Sequence, residues 1–440
     1  MKRLLLAVLA VLAVPSTAEA RLTDAEQRMV QTVEREHGRT IALLEKLVNQ
    51  NSGSLNLQGV EAVGRMMRAE LEPLGFEVRW VPMKEAGRAG HIVATHEGNG
   101  RGKRMLLIGH LDTVFEPDSP FQRFARKDAN TAQGPGIGDD KGGMVVMVAA
   151  MRAMQAAGTL GEADIEIVLT GDEEDVGNPL EVARRDLIAA GRRADVALDF
   201  EGLAQEDGRD MGTIARRSSG SWEVRTKGRS GHSSRIFSPE LGNGAIYELA
   251  RILASFRAEL PEPSLTFNVG LILGGATAAT DQAGIRGTAT GKTNIVPETA
   301  IARGDIRSLT LEQDARVRER MRAIVARHLP GTSAEISFGA DSYPPMAPTE
   351  GNRALLARLN AVNRDLGLAP MGELDPMQRG AGDIGFVAHE VDGLAGLGAN
   401  GEGAHAPGET VDLPSIARQA KRAALLMTRL SREPRRGVSR

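Results

Sequence analysis

Three short apolar runs in the first half of the chain each end in acids or a histidine, and helix-patterned segments lie between them. Met105–Ile108 runs into Gly109-His110-Leu111-Asp112, Ile165–Leu169 into Asp172-Glu173-Glu174, and Val196–Leu198 into Asp199-Phe200-Glu201. Met144, Val145, Val148 and Met151 fall on one helical face after Lys141-Gly142-Gly143, and a further helical pattern covers about 179–191. Such a βαβα succession specifies a largely parallel sheet covered by helices. Sites on open sheets of this kind form outside the carboxyl ends of the strands, so the acids and His110 are expected to converge at one edge. Carboxylates gathered there repel one another unless neutralised, and one or two divalent cations are the economical counter-charge.

Composition narrows the chemistry. At 440 residues the chain is long enough for two to three domains. Its 54 Lys+Arg against 57 Asp+Glu, net −3, argue against a nucleic-acid binder working through a broad basic field. With no cysteine, disulfides, thiol nucleophiles and Cys-ligated zinc are excluded. Lys2 and Arg3, the apolar run Leu4–Val14 and then Ala18-Glu19-Ala20 read as a signal peptide over 1–20. Cleavage near Ala20 would leave a secreted or periplasmic protein. The apolar run is too short to span a bilayer, and no later stretch is long enough, so no membrane span is expected after signal removal.

Along the rest of the chain, helical patterns at about 24–49 and 58–74 precede the strands, and α/β alternation continues to about 211. From 212 to 330 the character changes to an inserted α+β unit, with strands at Ser221–Thr226, Leu265–Leu273 and Thr299–Arg307 and helices at about 240–258 and 310–328. The α/β part returns over 331–440, its pattern resuming near 333. It closes with a helix at about 413–431 and a basic tail, Arg432–Arg440, expected to fray. Gly274–Gly291, rich in Gly, Ala and Thr, reads as a flexible loop.

Taken singly, the acids have ordinary explanations. Asp139 and Asp140 precede a helix and suit an N-cap, Glu173-Glu174 suits a solvated turn, and His405 stands in a loop where a lone histidine is commonly incidental. The spacing of His110 and Asp112 is more telling. Residues two apart in an extended chain face the same way, so the carboxylate can orient an imidazole whose other nitrogen binds metal.

In combination, the motifs resemble those of the M20 metallopeptidases, in order, across nearly the whole chain after the signal segment. Gly109-His110-Leu111-Asp112-Thr113-Val114 resembles the first metal motif, and Gly134-Pro135-Gly136-Ile137-Gly138-Asp139-Asp140-Lys141-Gly142-Gly143 the second. Thr170-Gly171-Asp172-Glu173-Glu174, Phe200-Glu201 and His405 resemble the remaining three. The inserted unit is similar to the family's lid. Its Arg229-Ser230-Gly231-His232-Ser233-Ser234, Thr293-Asn294-Ile295-Val296-Pro297 and Gly304-Asp305-Ile306-Arg307 carry that likeness.

The resemblance implies two Zn²⁺ per subunit, with Co²⁺ or Mn²⁺ as substitutes. Asp139 would bridge them, His110 and Glu201 would complete one site, and Glu174 and His405 the other. It further implies Asp112 behind His110 and Glu173 as general base. His232 and Asn294 would reach the neighbouring subunit's site in a homodimer, and Arg307 would grip a substrate carboxylate. The lid would be a four-stranded antiparallel sheet with two helices. Two departures stand out: Thr277–Gly291 intervene before Asn294, and a Gly-Gly-Ser/Thr-Asp-Ala segment is replaced by Gly380-Ala381-Gly382-Asp383-Ile384. The expected activity is hydrolysis of an amide bond in small peptides or N-acyl amino acids with a free C-terminal carboxylate, as in glutamate carboxypeptidases. An N-acyl-amino-acid deacylase and a non-catalytic, metal-stabilised binding protein are the alternatives. The intact Glu173 weighs against the last of these.

Overall fold

The computed structural model describes residues 22–281 and 284–435. The expected signal segment therefore lies outside the described residues. A six-stranded sheet runs in the order Glu77–Pro82, Gly90–His96, Asp164–Thr170, Arg104–His110, Val196–Asp199, Gly393–Leu394. The last four strands are mutually parallel, and Gly90–His96 joins them antiparallel. Register aligns His110 with Thr170 and Ile108 with Asp199, so the polar strand ends emerge together at one edge.

Alternation along Arg104–His110 splits the core in two. Leu107 faces the cluster containing Met144, Val148 and Met151, while Leu106 and Ile108 face Leu187 and Ala190. Helix Lys141–Ala157 is apolar nearly all round and accordingly buried on every side. Helices Asp24–Arg35, His37–Val48 and Leu413–Leu430 cover its outer face. The expected helix at 24–49 is thus two, interrupted at Glu36.

The inserted unit has its own antiparallel sheet. Gly220–Lys227 lies between Thr299–Arg307 and Ser333–Phe338. Thr266–Phe267 and Leu271–Gly275 follow one another along the far side of Thr299–Arg307, four strand positions in all. The single strand expected at Leu265–Leu273 is therefore broken at 268–270. Helices Ala245–Glu259 and Leu311–Val325 pack on one face around Trp222, Val224, Phe256 and Met321. Trp222 meets Phe256 edge-on, with ring centroids 5.6 Å apart.

Two further expectations need correction here. Ser333–Phe338, read as the return of the α/β part, forms an edge of the inserted sheet, because its alternate residues complete the apolar face of Gly220–Lys227. The supposed loop at 274–291 contains a hairpin, Thr277–Thr280 with Gly287–Thr290, whose turn is tied by Asp281 to Ile285 and Arg286. At the C-terminus, Arg432 and Arg435 are anchored to Glu162 (3.0 Å) and Asp164 (2.7 Å), so the described part of the tail is held down.

Chain passage between the units is a narrow antiparallel ribbon in which Arg216 pairs with Met346 and Ser219 with Tyr343. No helix among the described residues is long and apolar enough to cross a membrane.

Candidate metal centre

His110 is the last residue of its strand, and its imidazole is buried. Its Nδ1 faces Asp112, 3.2 Å from the backbone oxygen and 3.4 Å from Oδ1, while Nε2 lies 2.9 Å from Asp139 Oδ1. Asp112 does more than orient His110. It also accepts hydrogen bonds from Ser54 Oγ (2.6 Å) and from the N–H groups of Glu173 and Glu174 (3.0 Å each), holding the acidic turn in place.

Asp139 enters from the loop before helix Lys141–Ala157. Gly143 lets that helix approach: a Cβ there would meet the Phe200 carbonyl oxygen at 1.9 Å and Asp140 Oδ1 at 2.1 Å. The second oxygen of Asp139 lies 3.3 Å from His405 Nε2, which is also 3.0 Å from Glu174 Oε2. Asp139 thus stands between two imidazoles, as a bridging ligand would. His405 has a left-handed backbone (φ 65°) and a side chain 57% exposed.

The donor set fits divalent cations. With Nδ1 of His110 turned to Asp112, its Nε2 lone pair points at a carboxylate oxygen, a contact that needs a proton or a cation between the atoms. Without a metal the cluster draws in protons. Hydrogen bonds to Asp139 and then Glu174 push His405 up to about 11. His110 is also raised: burial opposes its charge, but Asp112 and Asp139 outweigh it. Burial and the Asp139 charge push Glu174 up to about 7. Two groups have ligand atoms close enough to share an ion: Asp139, Glu174 and His405, and His110, Glu173 and Glu174.

Glu201, the expected partner of His110 and Asp139, belongs to neither group. Its Oε1 is 2.5 Å from Arg216 Nη1 and its Oε2 3.8 Å from Arg379 Nη2, so a buried guanidinium and a half-buried one compete for its charge. Arg216 also pairs with Asp199 at 3.2 Å and donates to the carbonyls of Gly380 and Ala381. A cavity of about 280 Å³ opens over these groups, lined by Asp139, Glu173, Glu201, Arg216, Arg379 and His405 among others.

The lid residues lie apart from it. His232 and Asn294 are both exposed and share one corner of the lid, where His232 Nδ1 contacts Ser234 Oγ at 2.8 Å and the Asn294 carbonyl accepts from Ser233. Neither lines the cavity of its own chain. Arg307 is paired with Asp305 at 3.1 Å, and its Nη1 is 3.9 Å from where a side chain at Gly380 would begin, at the cavity rim.

Four contributors escaped the sequence reading. Arg216 and Arg379 are described above. Tyr343 donates its hydroxyl to the Glu173 carbonyl at 2.7 Å and accepts from Arg184. Glu409 accepts from the backbone of the Asp139 loop. Only Glu409 carried a signal, an acid four residues beyond His405.

Residues 106–429 match the model of peptidase family M20/M25/M40. The chain is 28% identical to carboxypeptidase G2 of Pseudomonas sp. (strain RS-16) over 430 residues, covering 96% of each protein. It is 30% identical to the succinyl-diaminopimelate desuccinylase of Novosphingobium aromaticivorans over 321 residues, which cover 70% of this chain and 78% of that enzyme. Its fold is similar to that of a dinuclear metal-binding M20 peptidase from Bacillus subtilis, with a TM-score of 0.63 at 18% identity, covering 90% of this chain and 99% of the other.

Proposed function

Because the chain belongs to peptidase family M20/M25/M40 and is a metal-dependent hydrolase of amide bonds, we propose that it is an exported dinuclear zinc carboxypeptidase. Its substrates would be small peptides or N-acyl amino acids with a free C-terminal carboxylate, and its working form a homodimer. The observation that carries this reading is Asp139 set between His110 and His405, with Glu173 and Glu174 beside them at the head of the cavity.

His110, Asp139, Glu174, Glu201 and His405 would hold the ions, Glu201 by turning from Arg216. When bound, these supply Lewis-acid charge that polarises the scissile carbonyl and acidifies water. Glu173 takes the proton of the attacking water and returns it to the leaving nitrogen. Burial and the charges of Glu201 and Asp383 hold its carboxyl well above the usual carboxylate range in the metal-free protein. Arg307 at the rim binds the substrate carboxylate through a charge-assisted pair. His232 and Asn294 serve the partner's site, in keeping with their distance from the cavity of their own chain. Export rests on the sequence pattern of residues 1–20.

A second reading, N-acyl-amino-acid deacylase, is favoured by the likeness to a desuccinylase. One assay tests both. Zinc-loaded protein is offered dipeptides and N-acyl amino acids as free acids and as C-terminal amides. Hydrolysis of the free acids alone, abolished by strong chelation and restored by zinc or cobalt, is the expected result. Efficient cleavage of the amides, or full activity without metal, would refute the reading.

A further inference from the structure

We propose that Glu409 is a positioning residue for the metal centre: its carboxylate, carried on the loop that presents His405, grips the loop that presents Asp139 and so sets the spacing of these two ligands. The inference rests on Asp139 and His405 being ligands of a divalent ion.

Residues 401–408 are exposed throughout, His405 included, and Glu409 is the first buried residue after them, at 1% exposure. A ligand on such a loop has little packing to hold it. The loop is tied at its base, where Gly401 and Glu402 pair with Val411 and Thr410, and Thr410–Asp412 pairs with Thr131–Gln133. A further anchor is the Glu409 carboxylate. Oε2 accepts from Gly136 N at 3.0 Å, and Oε1 accepts from Gly138 N at 2.8 Å and Asp139 N at 3.0 Å. The last of these donors belongs to a ligand residue itself. Gly136, at φ 66°, bends the loop so that these N–H groups point inward, a concave nest suited to an anion.

Backbone bonds complete the clamp. Gly134 N donates to Glu409 O, and Glu409 N to Ala406 O, which fixes the acid against the residue following His405. Both oxygens are used, so the arrangement is particular to a carboxylate. A glutamine keeps one acceptor oxygen but turns its amide NH2, a donor, towards a backbone N–H, and an alanine leaves three inward donors without partners.

The test compares the full chain with Glu409→Gln and Glu409→Ala. Zinc and cobalt dissociation constants are measured by competition with a chromogenic chelator, alongside the visible absorption of bound cobalt and the melting of the metal-free proteins. Glu409→Ala should bind metal about 10- to 100-fold more weakly, the range for removing a group that orients a ligand, and should shift the cobalt bands. Glu409→Gln should lose less. Wild-type affinity and unchanged bands in both variants, even with lowered melting temperatures, would overturn the proposal by leaving Glu409 a purely structural role. If the alanine variant fails to fold, the glutamine variant decides by the same criterion. This order of affinities across the three proteins, with no amide cleaved by the wild type, would remove the peptidase reading and leave the positioning role standing. A wild-type protein with no affinity for zinc or cobalt would overturn both.

Discussion

Glu173 and Glu174 are neighbours in one turn, with both N–H groups given to Asp112 and a carboxylate oxygen of each near His110, yet only Glu174 also joins Asp139 and His405. Glu174 reaches His405 at 3.0 Å, whereas Glu173 has Tyr343 on its carbonyl and its carboxyl turned to the cavity. Glu173→Gln should therefore keep its metal while kcat falls by ~10² or more, and Glu174→Gln should lose metal. Elemental analysis beside steady-state kinetics separates the two, and equal metal loss in both would reverse the assignment. His405 supplies a pH signature. Its pKa in the metal-free protein is raised from 6.5 to about 11. The stability it contributes is thus complete below about pH 6.5 and is lost as pH rises through 11. If His405 is a ligand, metal takes that proton's place, and zinc loading near pH 8 should release protons, read by calorimetry in buffers of different ionisation enthalpy. Loading without proton release would mean that His405 is neutral beforehand.

Among the elements, helix Lys141–Ala157 has the narrowest tolerance, because its first turn rests on the carbonyl of Phe200. Gly143→Ala should push the helix off that contact, cost about 1–3 kcal/mol and draw Asp139 away from the imidazoles. The checks are chemical unfolding and metal content, and an unaltered metal content would show that the loop before the helix is set independently. The three neighbouring parallel strands Asp164–Thr170, Arg104–His110 and Val196–Asp199 and their acidic ends were legible in the sequence because burial on both faces leaves nearly continuous apolar runs with charge collected where they stop, whereas Glu77–Pro82, Gly90–His96 and Gly393–Leu394 were not. The hairpin at Thr277–Thr290 was not, since its Thr, Ala and Gly side chains show no contrast between faces. Ser333–Phe338 was misplaced for a related reason: half-buried at an edge, its partner is chosen by tertiary pairing more than one hundred residues away in the chain. Glu201 shows the same limit within the site. Its identity could be read from its place after a strand, but its partner Arg216 comes from the connecting ribbon, and Glu409 meets a loop 273 residues earlier.

At the scale of the whole molecule, the inserted unit keeps a hydrophobic core of its own, separate from those on the two faces of the main sheet, and the ribbon of Arg216–Met346 and Ser219–Tyr343 joins the two units. His232 and Asn294 sit on the far unit, outside their own chain's cavity. If they complete a neighbour's site, His232→Ala and Glu173→Gln proteins should each be nearly inactive, and activity should partly return when their subunits exchange. Exchange confirmed by mass without recovered activity would show that His232 does not act across an interface. The ribbon has one more consequence. Tyr343 at once pairs with Ser219 in this ribbon and donates its hydroxyl to the carbonyl of Glu173. For a body turning about such a ribbon, travel would grow with distance from the axis, so the outer hairpin would move furthest and the atoms at Tyr343 least. The connection would then act as a gear: an excursion at the rim of the inserted unit would arrive at the Glu173 carbonyl as a much smaller displacement, because Tyr343, which holds that carbonyl, stands at the ribbon itself.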